Sequence, residues 1–362
     1  MGFRFDVVGV GALNLDSIAP VSPAARSLLR GAVDWGAECR VGAATVDAAM
    51  RTVHAAAVRN AVGGSAYNTV AALARTGVGL RLGYVGVAGR LPVPGTPVAE
   101  RLRKAGVDTA LLREEPGELS GVCLSLVEDG ERTLLVHPGA NDRMAAHLEV
   151  EFDAVVEYLS AARIVHVTSF LDPRTPAVLA DVLAAVRDRS PETVLTFDPG
   201  HVWAGTGGAP IAALATTADH VLLNERELRA LGTTGDDTWA ADRILRAGRP
   251  GRVVHVKRPA GVTTFTRSGP LLRARFHPQE ALTADRVVDA TGAGDVYAAG
   301  VLVALAGGGG THLYDGVRLG MALARHKLLH LADAGHADFP GVVQAWRDFT
   351  TGPTSGRSPT DR

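Results

Sequence analysis

The sequence predicts an α/β fold, a parallel β-sheet with helices on both of its faces. Three observations carry that expectation. Short apolar runs alternate with longer helical patterns along most of the chain, the order that parallel strands and crossover helices impose. The 362 residues give ample length for a full core, in one large domain or two smaller ones. A hydrophobic fraction of 46% and a charged fraction of 21% are those of a soluble globular protein.

The first strand is expected at 5–10, apolar apart from Asp6. Further short apolar runs place strands at 80–87, 163–168, 193–198, 220–223, 252–256 and 262–267. Helical patterns lie between them at 68–76, 97–105, 176–189 and 238–247. The last third is helical, at 295–306, 314–330 and 341–349. Two segments interrupt the alternation. Residues 17–62 form a long insertion with a helical stretch at 24–29. Residues 121–127 and 132–136 read as a hairpin turned by Asp129-Gly130. From 351 onward the chain is rich in Pro, Gly, Ser and Thr, so a disordered tail is expected.

A net charge of −1 supplies no field to gather nucleic acid or an acidic membrane. The only lysines among 37 basic residues are Lys104, Lys257 and Lys327, and the arginines are scattered. Cys39 and Cys123 are too few for a disulfide framework or a zinc site, which suits a reducing cytoplasm. The N-terminus reads as a strand and lacks a signal peptide's apolar core. No stretch approaches the length of a membrane span. The histidines have no metal-ligand spacing, and His137 and His166 are expected to be structural.

The segment Val287-Val288-Asp289-Ala290-Thr291-Gly292-Ala293-Gly294-Asp295 runs into a helix of small and apolar residues. A glycine turn at a helix start leaves N–H groups pointing at one spot, at the positive end of the helix dipole, and so makes an anion site. A carboxylate beside it, at Asp295, makes sense if it takes a proton from a hydroxyl while the hole of Gly292, Ala293 and Gly294 holds charge on a transferred phosphoryl group. The bland alternative is an ordinary glycine turn with an acid in the first helical turn.

Three further motifs precede it: Gly11-Ala12-Leu13-Asn14-Leu15-Asp16, then Gly63-Gly64-Ser65-Ala66-Tyr67-Asn68, then Asn224-Glu225-Arg226-Glu227. On these four segments, in this order, the chain resembles the ribokinase (PfkB) family of carbohydrate and nucleoside kinases. The resemblance implies a ribokinase-like three-layer α/β/α sandwich with a small β lid. It gives one kinase domain over 1–350, with lid segments at about 17–62 and 112–138. It also implies ATP and Mg²⁺ as cofactors, a small sugar or nucleoside as substrate, and leaves room for a homodimer through the lid.

Roles follow residue by residue. Asp295 would be the general base. Asn224 and Glu227 would organise Mg²⁺ and phosphate through metal-bound water, although an Asn N-cap with a first-turn Glu is also a common helix start. Asn14 and Asp16 would take sugar hydroxyls at the carboxyl edge of the sheet, with an Asx turn as the alternative. Gly63 and Gly64 would let backbone approach the substrate, and Asn68 would bond a hydroxyl. Asp289 and Thr291 resemble positions that shape a monovalent-cation site, for K⁺, in some members, with a salt bridge and a turn hydroxyl as the alternative. Arg132 is either an anion contact or an exposed hairpin residue.

The chain departs from the family in two places. After Gly86 it carries Val87-Ala88-Gly89-Arg90-Leu91-Pro92 in place of an acidic segment. The nucleotide-side loop Val256-Lys257-Arg258-Pro259-Ala260-Gly261 lacks an early Gly, so Lys257 and Arg258 are expected to face ATP phosphates, with Gly261 in the nucleotide site. The expected activity is phosphorylation of a primary hydroxyl on a sugar. A nucleoside acceptor, with Trp35 or Tyr67 against its base, stays open. So does a catalytically silent sugar-binding regulator.

Overall fold

The computed structural model describes residues 2–31, 33, 35, 38–52, 59–128, 131–307 and 313–351. The expected turn at Asp129-Gly130, the tail beyond 351 and the Arg132 side chain lie outside them.

Among the described residues fourteen strands make two sheets. In chain order they are β1 (Phe5–Val10), β2 (Asn14–Pro20), β3 (Glu38–Arg40), β4 (Arg59–Gly63), β5 (Leu82–Arg90), β6 (Val107–Leu119) and β7 (Gly121–Glu128). There follow β8 (Glu131–His137), β9 (Ala162–Thr168), β10 (Val194–Asp198), β11 (His220–Asn224), β12 (Val253–Arg258), β13 (Gly261–Ser268) and β14 (Leu271–Pro278). The large sheet has the order β14-β13-β12-β11-β10-β9-β1-β5-β6. It is parallel from β12 to β6, and the hairpin β13–β14 closes one edge antiparallel.

Alternation along the central strands explains the three layers. Val8 and Val10 of β1 pack into one apolar cluster with Val165 and Val167 of β9. Val7 and Ile164, on the opposite face, join a second cluster with residues of the helices Ser65–Arg75 and Ala293–Ala306. Strands buried on both faces need apolar residues at every position, which is why they read as continuous runs.

The small sheet has the order β3-β8-β7-β2-β4. Val122, Leu124 and Leu126 of β7 and Leu135 of β8 bury one face under the helices Pro23–Leu28 and Ala43–Thr52. Cys123, Leu134 and Val136, on the alternate positions, turn to a cavity between the two sheets. Two expectations are corrected here. Asn14 and Asp16 lie on a strand, β2, not on a loop or Asx turn after β1. Residues 112–119 belong to the edge strand β6 of the large sheet, so the small sheet takes up the chain only at Gly121. Among the described residues no helix is long and apolar enough to cross a membrane.

Candidate active site

Parallel strands deliver their carboxyl ends to one edge of the sheet. Asp198 ends β10, Asn224 ends β11, and Lys257 stands one residue before the end of β12. The N-terminus of the helix Ala293–Ala306 faces the same edge. Gly292 caps it in the left-handed region, φ 76°, where a glycine costs least.

The Ala293 N–H closes the turn on the Ala290 carbonyl at 3.2 Å, so the expected three-donor hole narrows. The N–H groups of Gly292 and Gly294 find no acceptor among the described residues. Asp295 Oδ2 accepts from Asn68 Nδ2 at 2.8 Å. The amide expected to bond substrate thus also orients the carboxylate. Burial pushes the Asp295 pKa up to about 7, against the Asn68 bond and with the help of the Asp198 charge. Beneath it, Thr69 Oγ1 donates to the Asp295 carbonyl at 3.1 Å and lies 3.4 Å from His166 Nε2. His166 is buried, its pKa driven down to about 4 by desolvation, which fits the structural role expected for it.

Lys257 Nζ donates to Asp198 Oδ2 at 2.7 Å. A Cβ on Gly294 would lie 3.3 Å from that ammonium, so the lysine borders the glycine turn. Burial alone would lower the Lys257 pKa, but Asp198, Glu227 and Asp295 together raise it. Glu227 is raised too, by burial first and then by Asp198. Three carboxylates around one ammonium leave surplus negative charge, and this donor set fits a divalent cation with its water shell. Asn224 and Glu227 also form a complete capping box. Asn224 Oδ1 accepts from Glu227 N at 3.0 Å, and Glu227 Oε2 accepts from Asn224 N at 2.8 Å. The helix-start reading is thus present in the structure, whatever else the pair does.

A cavity of about 390 Å³ is lined by Asp295 together with Asn14, Asp16, Gly64, Ser65, Asn68 and Asn141. Among the described residues no donor reaches the Asp16 carboxylate, and burial raises its pKa to about 6. A Cβ on Gly63 would collide with that carboxylate, and one on Gly64, at φ 105°, with the Ala12 carbonyl. The glycine pair therefore makes room for Asp16 and turns the chain into the helix Ser65–Arg75. Asn14 Oδ1 accepts from Asn141 Nδ2 at 3.0 Å, and Asn141 also bonds both backbone groups of Leu13.

The sequence profile of the pfkB family carbohydrate kinases matches residues 39–333. The chain belongs to that family. Its members are phosphotransferases acting on an alcohol group. A probable chloroplastic fructokinase-6 of Arabidopsis thaliana is 28% identical over 70% of this PfkB chain, which spans 64% of that relative's length. A probable sugar kinase of Rhizobium etli superposes with TM-score 0.71 at 21% identity, covering 95% of this chain and 99% of its own. An adenosine kinase of Sinorhizobium meliloti gives 0.72 at 22% identity, covering 94% and 99%. These two bear on the fold, which is ribokinase-like.

Four of the expected residues in this PfkB chain, Asp289, Gly261, Arg258 and Trp35, are otherwise engaged. Asp289 does not fit a free monovalent cation. Its Oδ2 accepts from Lys327 Nζ at 2.7 Å and from Ala332 N at 3.0 Å, and its Oδ1 from Thr291 N at 2.9 Å. Gly261 is buried and needs no nucleotide to explain it, since a Cβ there would strike the His277 carbonyl of β14. Arg258 is held by Glu225, Asp237 and Thr263, so its guanidinium is engaged within the chain. Trp35 does not line the Asp16–Asp295 cavity. Trp35 packs on the small sheet's own core with Arg26 over its ring, at 4.6 Å, whereas Tyr67 lines an adjoining hollow that shares Asp16, Asn68, Thr291 and Gly292 with the cavity. The sequence reading missed Asp198, Asn141 and Lys327. Asp198-Pro199-Gly200 after a legible strand was a usable signal for the first; the others had none.

Proposed function

We propose that the protein transfers the γ-phosphoryl group of ATP to a primary hydroxyl of a small sugar or sugar-like molecule. One observation carries the reading: a carboxylate with a pKa near 7 and two unpaired N–H groups open from one helix start onto the cavity that holds the unpartnered Asp16. Asp16 and Asn14 would hold acceptor hydroxyls and aim another at Asp295. Asp295 takes the proton as that oxygen bonds to phosphorus and the bond from phosphorus to the bridging oxygen of ADP breaks. The N–H groups of Gly292 and Gly294, with Lys257, face the oxygens of the group in flight, so catalysis is positioning plus charge stabilisation. Asp198, Glu227 and Asn224 would hold Mg²⁺ through its water, and Mg²⁺ supplies neutralisation of phosphate charge. The small sheet serves as a lid that excludes water from the transfer. A phosphorylation screen over ribose, fructose and adenosine tests the reading. Product from none of them, by a folded protein that binds ATP, would favour the silent sugar-binding regulator.

A second reading, a nucleoside acceptor, rests on the cavity's wall. Leu134, Val136, Phe170 and Leu171 give the cavity an apolar stretch of lining beside its polar groups, suited to the face of a base. Adenosine turned over efficiently with free ribose ignored, and an adenosine KM raised in Leu134→Ala, would establish it.

A further inference from the structure

We infer that the Lys327 ammonium is a tethered monovalent cation for the loop that builds the anion hole, so the enzyme needs no potassium. Lys327 lies in the last turn of the helix Leu313–Leu328 and is 3% exposed. Its Nζ is 2.7 Å from Asp289 Oδ2, 3.1 Å from the Asp289 carbonyl and 3.4 Å from the His330 carbonyl. One carboxylate and two carbonyl oxygens around a buried single charge are the donor set of an alkali-ion site, filled here by a side chain.

The ammonium ties two segments together. On one side is Asp289–Gly292, which ends in the left-handed cap of the helix Ala293–Ala306. On the other is 329–332, which closes over the ion pair with Ala332 at φ 49°. The Val288 N–H donates to the Leu328 carbonyl at 2.9 Å and completes the seam. Lys327 touches no reacting atom, so it is a positioning residue. Without it the half-buried Asp289 carboxylate keeps its two backbone N–H donors but loses its countercharge, and the turn carrying the Gly292 and Gly294 N–H groups loses an anchor. A cavity of about 290 Å³ lined by Asp289, Thr291, Gly292 and Lys327 gives a small ion access once the side chain is shortened.

The inference rests on the anion-hole reading, and its test separates the two. Wild type, Lys327→Ala and Lys327→Met are compared in potassium, ammonium and tetramethylammonium chloride at equal ionic strength, with fructose and adenosine as acceptors. The wild-type rate should be the same in all three salts. In tetramethylammonium, Lys327→Ala should lose kcat on the order of 10–100-fold, the size typical when a group orienting a catalytic element is removed, with acceptor KM nearly unchanged. Potassium or ammonium should restore much of it. Independently of turnover, both ions should raise the melting temperature of Lys327→Ala but not of wild type. Thallium(I) soaked into crystals of that variant should scatter beside Asp289. Lys327→Met, which keeps the apolar stem, guards against a variant that fails to fold. Activation of wild type by potassium overturns the inference, as does a folded variant that neither ion stabilises. If no acceptor is phosphorylated by wild type, the kinase reading fails while the melting and thallium results still decide this one.

Discussion

Asp295 occupies a helix's first turn, where the dipole favours an ionised acid, and it accepts a hydrogen bond from Asn68. Burial and the nearby Asp198 charge outweigh both, which leaves the group protonated up to about pH 7. A base with that pKa is matched to work near neutrality. On the proposed role, kcat/KM should fall below about pH 7 along a limb owned by Asp295. Asn68→Ala removes a bond that lowers the pKa, so the limb should move to higher pH; a limb that stays put or moves down would clear Asp295 of it. Asp295→Asn should cost on the order of 10²–10⁴-fold in kcat. The same shift sets a stability rule. The unfolded carboxyl releases its proton near 3.8 and the folded one near 7, so between those values the folded state binds more protons and stability falls as pH rises. Asp295→Asn should therefore melt above wild type at pH 8 and gain less at pH 4. Equal gains at both values would show that the carboxylate is not strained.

The helix Glu225–Gly232 carries a cap and a candidate metal contact in one pair of side chains, and substitution can part them. Gln at the third position completes a capping box as Glu does. Glu227→Gln should keep the melting temperature close to wild type while raising the apparent KM for MgATP. Glu227→Ala should lose both, with about 0.5–2 kcal/mol of stability gone with the cap. A Gln variant with unchanged MgATP kinetics would reduce Glu227 to its cap. Legibility in the sequence also varied by element. The central strands β1, β9, β10 and β11 came out within a residue of their bounds, because burial on both faces demands unbroken apolar runs. The edge strands β6 and β14 did not. Edges tolerate charge and proline, and β6 carries Arg113-Glu114-Glu115-Pro116 in its length. At the site, glycine turns and the capping pair are local in sequence and could be read. Lys257–Asp198 spans 59 positions and Asn141–Leu13 spans 128, so those pairings exist only once the fold is closed.

At the scale of the whole molecule, the small sheet has its own apolar core on one face and the acceptor cavity on the other. Leu135 is fully buried in that core. Leu135→Ala should cost about 2–5 kcal/mol. The loss should be local: hydrogen exchange should quicken in β7 and β8 and the acceptor KM should rise, while β9 and β10 keep their protection. Uniform quickening would show that both sheets open as one unit. The chain passes between the two sheets at residues 11–13, at Gly64, at Ser120 and at Pro138. Asn14, Asp16, Gly63 and Asn141, the groups that face or shape the acceptor site, all lie within three residues of one of these passages. The angle between the sheets and the grip on the acceptor are thus set by the same few joints. Selectivity and the speed of product escape cannot then drift independently: a substitution that loosens a joint to suit a bulkier acceptor also alters how readily the site reopens.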